Sequence, residues 1–362
     1  MKTFVVVGTR PNFVKLAPMY KALKAEGIDP IIVNTGQHYD FNMAGSFFKD
    51  LDIPEPTHKL SGTSNRTHAE MTASIMVEFE RLCRVERPGL IILVGDVNST
   101  VACALAASKL TNRPNIAHFE AGLRSYDRTM PEEINRVITD SLSDILFVHD
   151  RETAENLTRE GLGDRHIEVV GPTQIDTIEM YWNKINSYKG VPLFTYGLVT
   201  IHRPSNVDSE TRLTEIIEKI VDLTEDYEII FPVHPRTLSA MGDMLDPLLY
   251  AKLSEKAYVT TPMRYIEFMA MVKSAKFIIT DSGGLQEEAA YFNTKTFTLR
   301  TSTERPKTCT HGSNTLCDIR QITTGAIDSE NTRKLYKQPL YDGKTCQRVA
   351  RTLKWVLNTR YL

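Results

Sequence analysis

Several common signatures of enzyme chemistry are missing from this 362-residue chain. It has no GxGxxG turn and no GxxxxGK[ST] loop, which removes the usual dinucleotide fingerprint and the P-loop. No GxSxG elbow gives a hydrolase triad a foothold, and no HExxH or Cys/His spacing suggests a metal. The five cysteines (Cys83, Cys103, Cys309, Cys317 and Cys346) are odd in number and scattered, without a CxxC pair. They fit buried thiols in a reducing cytoplasm rather than a disulfide framework. Charge of one sign is also lacking: 43 basic residues face 45 acidic ones, a formal net charge of −2. That excludes the broad basic surface of a nucleic-acid binder, while leaving room for a local pocket for a small phosphorylated ligand. No apolar run approaches the ~20 residues of a membrane span. The opening Met1–Gly8 run is too short for a signal peptide and reads as a first strand, so a cytoplasmic protein is expected.

Short apolar runs alternate with amphipathic stretches along the whole chain. Strands are predicted at Thr3–Gly8, Pro30–Thr35, Leu90–Gly95, Asn115–Phe119, Ile145–His149 and Ile167–Val170. A second series covers Gly197–His202, Glu228–His234, Ala257–Thr260, Phe277–Thr280 and Lys295–Leu299. Rich in Val, Ile and Phe without strict alternation, they suit strands buried on both faces of a parallel sheet. Helical patterns lie between them, such as Phe13–Ala25 with Val14, Ala17, Tyr20 and Leu23 on one stripe. Two βα series predict two doubly wound α/β domains meeting near Gly171-Pro172: residues 1–170 and 171–343, with a last amphipathic helix in 344–362. The stretch Thr173–Asn183 reads as the helix that opens the second domain.

Ligands of open parallel sheets bind beyond the carboxyl ends of the strands, and the ionisable residues collect there. The first strand runs into Arg10 with Lys15 a turn later, the third into Asp96 and the fourth into Glu120; Glu132 and Glu133 open the next helix. In the second half the strand ends deliver His202-Arg203, His234-Pro235-Arg236 and Asp281-Ser282-Gly283-Gly284. Arg10 and Lys15 stand where an anion would be met, or form a solvated basic pair. Asp281-Ser282-Gly283-Gly284 reads as a strand–turn–helix phosphate site, or Asp281 and Ser282 merely cap the helix. Asp96, Glu120 and Glu132 suit proton transfer, since burial and mutual repulsion tune carboxyl groups. Glu133 is the member that capping alone accounts for. His118 reads equally as a satisfied core residue or a wall residue.

In chain order the blocks are Gly8-Thr9-Arg10-Pro11 with Lys15, Gly36-Gln37-His38, Gly95-Asp96, Glu120-Ala121-Gly122-Leu123-Arg124 and Pro131-Glu132-Glu133-Ile134-Asn135-Arg136. They continue as His202-Arg203, Pro232-Val233-His234-Pro235, Thr280–Gly284 with Gln286-Glu287-Glu288, and Thr303-Glu304-Arg305-Pro306. Each is weakly specific alone, but together and in order they make the chain resemble the non-hydrolysing UDP-N-acetylglucosamine 2-epimerase family over almost its whole length. The resemblance implies the GT-B fold, two Rossmann-like domains facing a central cleft, with the final helix returning to the first. It implies reversible C2 epimerisation of a UDP-2-acetamido sugar, without nicotinamide, catalytic metal or other cofactor, in a homodimer. By motif position, Asp96, Glu120 and Glu132 become the acid/base candidates and His202 stands beside the departing diphosphate. Arg10, Ser282, Gly283 and Gly284 would hold phosphates and Glu288 the ribose hydroxyls. Lys15, Arg136, His234 and Arg305 would line the sugar and phosphate side.

The chain also departs from that pattern. Its Glu120–Glu132 segment has the shorter form shared by relatives that act on 6-deoxy or uronate sugars. Pro204-Ser205-Asn206 follows His202-Arg203 as a branch variant. Asp40 stands where a glutamine of an activating second site is expected, and the Arg66 region matches poorly. The Lys307–Cys317 segment, with His311, has no assigned role. A GT-B glycosyltransferase, a hydrolysing 2-epimerase and a non-catalytic UDP-sugar binder remain as alternatives.

Overall fold

The Val-, Ile- and Phe-rich runs become the strands of two sheets in the computed structural model, which describes residues 1–36, 48, 50–61, 67–330 and 339–359. Gln37, His38, Asp40 and Arg66 lie outside the described residues. The chain divides into one unit of Met1–Met180 with Gln338–Leu362 and a second of Tyr181–Lys337.

The first unit holds β1 (Thr3–Val7), β2 (Pro30–Asn34), β3 (His58–Lys59), β4 (Leu90–Val94), β5 (Asn115–Ala121), β6 (Ile145–Val148) and β7 (His166–Val169). Their spatial order is β3-β2-β1-β4-β5-β6-β7, with parallel ladders. The second unit holds β8 (Tyr196–Thr200), β9 (Glu228–Pro232), β10 (Tyr258–Thr260), β11 (Phe277–Thr280), β12 (Lys295–Thr298) and β13 (Asn314–Leu316). Its order β10-β9-β8-β11-β12-β13 is parallel too and repeats the same plan. Each sheet reverses its order at one point, between β1 and β4 in the first and between β8 and β11 in the second. Such switch points leave a crevice at the carboxyl ends of the two central strands.

The central strands are the driest. Every residue of β1, β4 and β11 is buried, which explains why they read as unbroken apolar runs. The edge strands β3 and β13 carry no such signal: His58-Lys59 and Asn314-Thr315-Leu316 are short and polar, and their partners supply the register. Helix Arg10–Ala25 departs from a one-striped pattern, because Asn12 through Met19 are all buried. Helices Thr173–Met180 and Thr345–Thr359 pack against it within the first unit. The helix Thr173–Met180, predicted to open the second domain, therefore belongs to the first unit. Asp176 fixes the returning helix Thr345–Thr359 by accepting from the backbone N–H groups of Thr345 (3.0 Å) and Cys346 (2.6 Å). Among the cysteines, Cys83, Cys103 and Cys346 are buried and all five are free thiols.

Candidate active site

At the first switch point the turn after β1 is tied directly to the end of β4. Asn12 Oδ1 accepts from the N–H (3.2 Å) and hydroxyl (2.9 Å) of Thr9, while its Nδ2 donates to the carbonyl of Val94 (3.1 Å). The helix thus begins at Arg10, which is half-buried, and presents Lys15 from its second turn. Lys15 is buried, with Nζ 2.5 Å from Glu120 Oε2. The second oxygen of Glu120 accepts from the Thr173 hydroxyl at 3.0 Å.

Glu120 owes its position to an irregularity in β5. The register with β6 shifts between Phe119 and Ala121, and Glu120 has φ = +72°. A left-handed glutamate costs about 1–2 kcal/mol; such strain is typical of sites where function fixes a side chain. Gly95 lies opposite with φ = +72°, and a Cβ built on it would come within 3.8 Å of both Glu120 Oε2 and Lys15 Nζ. The turn that carries Asp96 therefore rests against the Lys15–Glu120 pair.

Asp96 is held by Arg136, whose Nη1 lies 2.6 Å from Oδ2, and its side chain stays about one-third exposed. Arg136 is buried and also binds Glu133 Oε2 through Nε (3.1 Å) and Nη2 (2.8 Å). Glu133 accepts the backbone N–H groups of Ser125 (2.9 Å) and Tyr126 (3.0 Å), fastening the segment between Glu120 and Glu132. Burial raises the Glu133 carboxyl, but the Ser125 amide and Arg136 outweigh it and hold the group below its ordinary value. Glu132, its half-buried neighbour, makes no side-chain hydrogen bond among the described residues.

The second switch point is organised around one carboxylate. Asp281, fully buried, accepts from the N–H groups of His202 (3.1 and 3.0 Å) and Arg203 (2.9 Å) and from Asn206 Nδ2 (3.0 Å). Its Oδ1 also lies 3.2 Å from His202 Nδ1, which orients the partly exposed imidazole. His234 stacks obliquely on His202 with ring centroids 5.3 Å apart, and it caps the next helix by accepting from the Arg236 N–H.

Asp281 thus does not cap the following helix. Ser282 is the N-cap of Gly283–Phe292, yet its side chain makes no capping bond, and no acidic residue occupies the first turn. The first N–H groups of this helix lack the side-chain acceptor that usually satisfies them, an arrangement suited to an anion. Gly283 is required by close packing, since a Cβ there would fall 2.2 Å from Glu304 Oε1, whereas Gly284 faces open space. Arg305 is buried beneath this turn between Glu287 (2.9 Å) and Glu304 (2.6 Å). Glu288 is half-buried beside Tyr265, whose hydroxyl is pushed well above its ordinary range by burial and then by that carboxylate. The unassigned Lys307–Cys317 segment finds a role here. Asn314 Nδ2 donates to Gln286 Oε1 (3.0 Å), and Gln286 Nε2 donates to the Ser282 carbonyl (3.3 Å). His311 itself is exposed and bonds its neighbour Thr310.

The structure thus brings together Lys15, Asp96, Glu120 and Arg136 in the first unit, and His202, His234, Ser282, Gly283, Gly284 and Arg305 in the second. Sequence reasoning gave no role of their own to Asn12, Thr173, Gln286 and Asn314, all neutral side chains that hold others in place. Asn12 carried a signal nonetheless, since it stands three residues after Thr9 at a helix start.

Comparison with known proteins shows the family to which the chain belongs. A family model described as UDP-N-acetylglucosamine 2-epimerase matches residues 21–354. The UDP-N-acetylglucosamine 2-epimerase of Methanocaldococcus jannaschii is 39% identical over 98% of this chain and 99% of its own length. The UDP-2,3-diacetamido-2,3-dideoxy-D-glucuronate 2-epimerase of Pseudomonas aeruginosa is 37% identical over 87% of this chain and 88% of its own. A crystal structure of the Methanocaldococcus jannaschii UDP-GlcNAc 2-epimerase in complex with UDP-GlcNAc and UDP superposes with a TM-score of 0.89 at 38% identity, covering 98% of this chain and 100% of that one.

Proposed function

The chain belongs to the UDP-N-acetylglucosamine 2-epimerase family, and from that premise we propose that it interconverts a UDP-2-acetamido sugar and its C2 epimer by elimination and re-addition of UDP. A C2 hydrogen without an adjacent carbonyl is not acidic enough for direct removal by a side chain. Breaking the anomeric C1–O bond changes this: the electron pair leaves with UDP, positive charge develops at C1, and C2–H becomes acidic. A carboxylate takes that proton and a C1=C2 double bond forms, giving bound 2-acetamidoglucal and UDP. Proton return to the opposite face of C2, with UDP re-adding at C1, yields the epimer.

The chain's residues divide this labour. Asp96 and Glu120 exchange protons at C2, Glu132 serves as a further acid/base group, and Lys15 and Arg136 hold Glu120 and Asp96 in place through ion pairs. His202, oriented by Asp281, donates toward the leaving diphosphate. The Ser282 hydroxyl and the amides of Gly283 and Gly284 bind the phosphates with Arg10, Glu288 takes the ribose hydroxyls, and His234 and Arg305 support the phosphate side. The observation that carries the reading is Glu120 itself, a strained, left-handed carboxylate aimed at Lys15 beside the turn bearing Asp96. A homodimer in the cytoplasm completes the proposal.

The shorter Glu120–Glu132 segment supports a modified sugar as a second reading, and a diacetamido-glucuronate 2-epimerase is among the relatives, at 37% identity beside 39% for the UDP-N-acetylglucosamine enzyme. A proton NMR time course in D2O separates the possibilities. A UDP-ManNAc anomeric signal from UDP-GlcNAc, with deuterium at C2, supports elimination on that sugar. Turnover confined to 6-deoxy or uronate analogues supports the modified sugar. Release of free N-acetylmannosamine, or no C2 exchange with any of them, overturns the proposal.

A further inference from the structure

One buried cluster of charged groups stands outside the list of residues expected to meet the substrate. His118 lies on β5 two residues before Glu120 and is completely buried. Its Nδ1 is 2.6 Å from Asp140 Oδ1, and its Nε2 is 2.9 Å from the carbonyl oxygen of Gly95. Asp140, also fully buried, uses its other oxygen to accept from the Gly122 N–H (3.1 Å) and from Arg124 Nη2 (2.7 Å). Arg124 in turn binds Glu160 at 2.6 Å. A carbonyl and a carboxylate are both acceptors, so each ring nitrogen faces an acceptor.

The chain positions touched by this cluster matter more than its charge. Gly95 is the residue before Asp96, and Gly122 is the second residue after Glu120. One imidazole–carboxylate pair therefore grips the backbone of both turns that bear the proton-transfer carboxylates. Filling the same space with apolar side chains would support the sheet as well and avoid burying ions.

We propose that His118 is a positioning residue, which sets the Gly95–Asp96 turn against the Glu120 bulge by holding the Gly95 carbonyl. The role rests on the epimerase reading above. Two amide substitutions separate the two ring contacts. The glutamine Nε2 approximates the position of the histidine Nε2, so His118→Gln keeps the donation to Gly95. The asparagine Nδ2 approximates Nδ1, so His118→Asn keeps only the donation to Asp140.

If holding Gly95 is what matters, His118→Asn lowers kcat about 100-fold and His118→Gln about tenfold or less, the scale of loss when reacting groups shift by about an ångström. KM for the UDP-sugar and UDP affinity stay near wild type in both. A merely structural role predicts losses that follow Tm and are equal for the two variants; that result overturns the proposal. Should neither variant fold, the wild-type 15N histidine spectrum decides: a proton on His118 Nε2 supports the hold on the Gly95 carbonyl, and a bare Nε2 overturns it. Wild type and Asp96→Asn run in the same assay. A wild-type protein that does not epimerise overturns the activity and the positioning role together. Turnover that is lost in Asp96→Asn but equal in the two His118 variants overturns the positioning role alone.

Discussion

At the switch point of the first unit carboxylates face cations, whereas at that of the second a carboxylate faces backbone amides. Lys15–Glu120 and Arg136–Asp96 are ion pairs between side chains, the groups to which the proposed mechanism gives proton transfer. Asp281 is spent on the N–H groups of His202 and Arg203, and the glycine turn beyond it offers N–H groups of its own. On the function proposed above, the same strand order supports two kinds of site. Proton transfer needs groups with two available charge states, held close to partners that tune them. Binding a diphosphate needs a fixed backbone whose donors already point at the anion.

The sharpest way to break that comparison is to neutralise one carboxylate of the first unit. Glu120→Gln and Asp96→Asn should each lower kcat about 10³-fold, within the range for removing a general acid or base. UDP affinity, measured by calorimetry, should stay within about threefold of wild type, because the proposed UDP ligands other than Arg10 lie in the second unit. Loss of UDP binding in step with kcat would erase the division. The converse substitution is Gly283→Ala, whose Cβ would meet Glu304 Oε1 at 2.2 Å. It should weaken UDP about tenfold, equivalent to about 1.4 kcal/mol, and change kcat at saturation far less.

The sequence made the same division visible, but unevenly. Central strands were readable because burial on both faces leaves a run such as Leu90–Val94 wholly apolar. Strand β13 was not, because its order comes from pairing of Thr296 with Asn314 rather than from its own composition. Ionisable residues at strand ends announced themselves by type and place, hence Asp96, Glu120 and Lys15. Their neutral holders did not, because Thr173 lies 53 residues from Glu120 and nothing local marks the contact. Glu133 reads in sequence as a helix-capping acid; in the fold it holds the Ser125 and Tyr126 amides and Arg136.

Acid stability offers a third test. Burial raises the Asp140 carboxyl, but His118 and Arg124 outweigh it, and the group lies below its ordinary value, as Glu133 does. A depressed carboxyl contributes stability that is present above its unfolded value of about 4 and is lost as pH falls through the lower folded value. Thermal scans between neutral pH and pH 3 should therefore show the first unit weakening with acid. Glu133→Gln should flatten that slope and cost about 3 kcal/mol at pH 7, because Arg136 loses one of its two carboxylates. An unchanged acid slope would show that Glu133 does not couple folding to pH.

The smallest expected effect tests whether the contrast follows the kind of contact rather than the unit. Asp176 lies in the first unit, yet like Asp281 it holds amides, those of Thr345 and Cys346. Burial raises its carboxyl above the ordinary value, and the two amides offset only part of that. The sign is therefore opposite to that of Glu133. A raised carboxyl favours folding below its unfolded value, and this contribution disappears as pH rises through the folded value. Asp176→Asn keeps an acceptor for the helix start and removes the buried charge, so stability at pH 7 should change by no more than about 1 kcal/mol. The acid slope should steepen, since the group that opposed it is gone. Turnover should match wild type, although Thr173, one helical turn earlier, holds Glu120. A kcat that fell with Asp176→Asn would mean that the returning helix is coupled to the acid/base pair, and that holding amides and moving protons are not separable within the first unit.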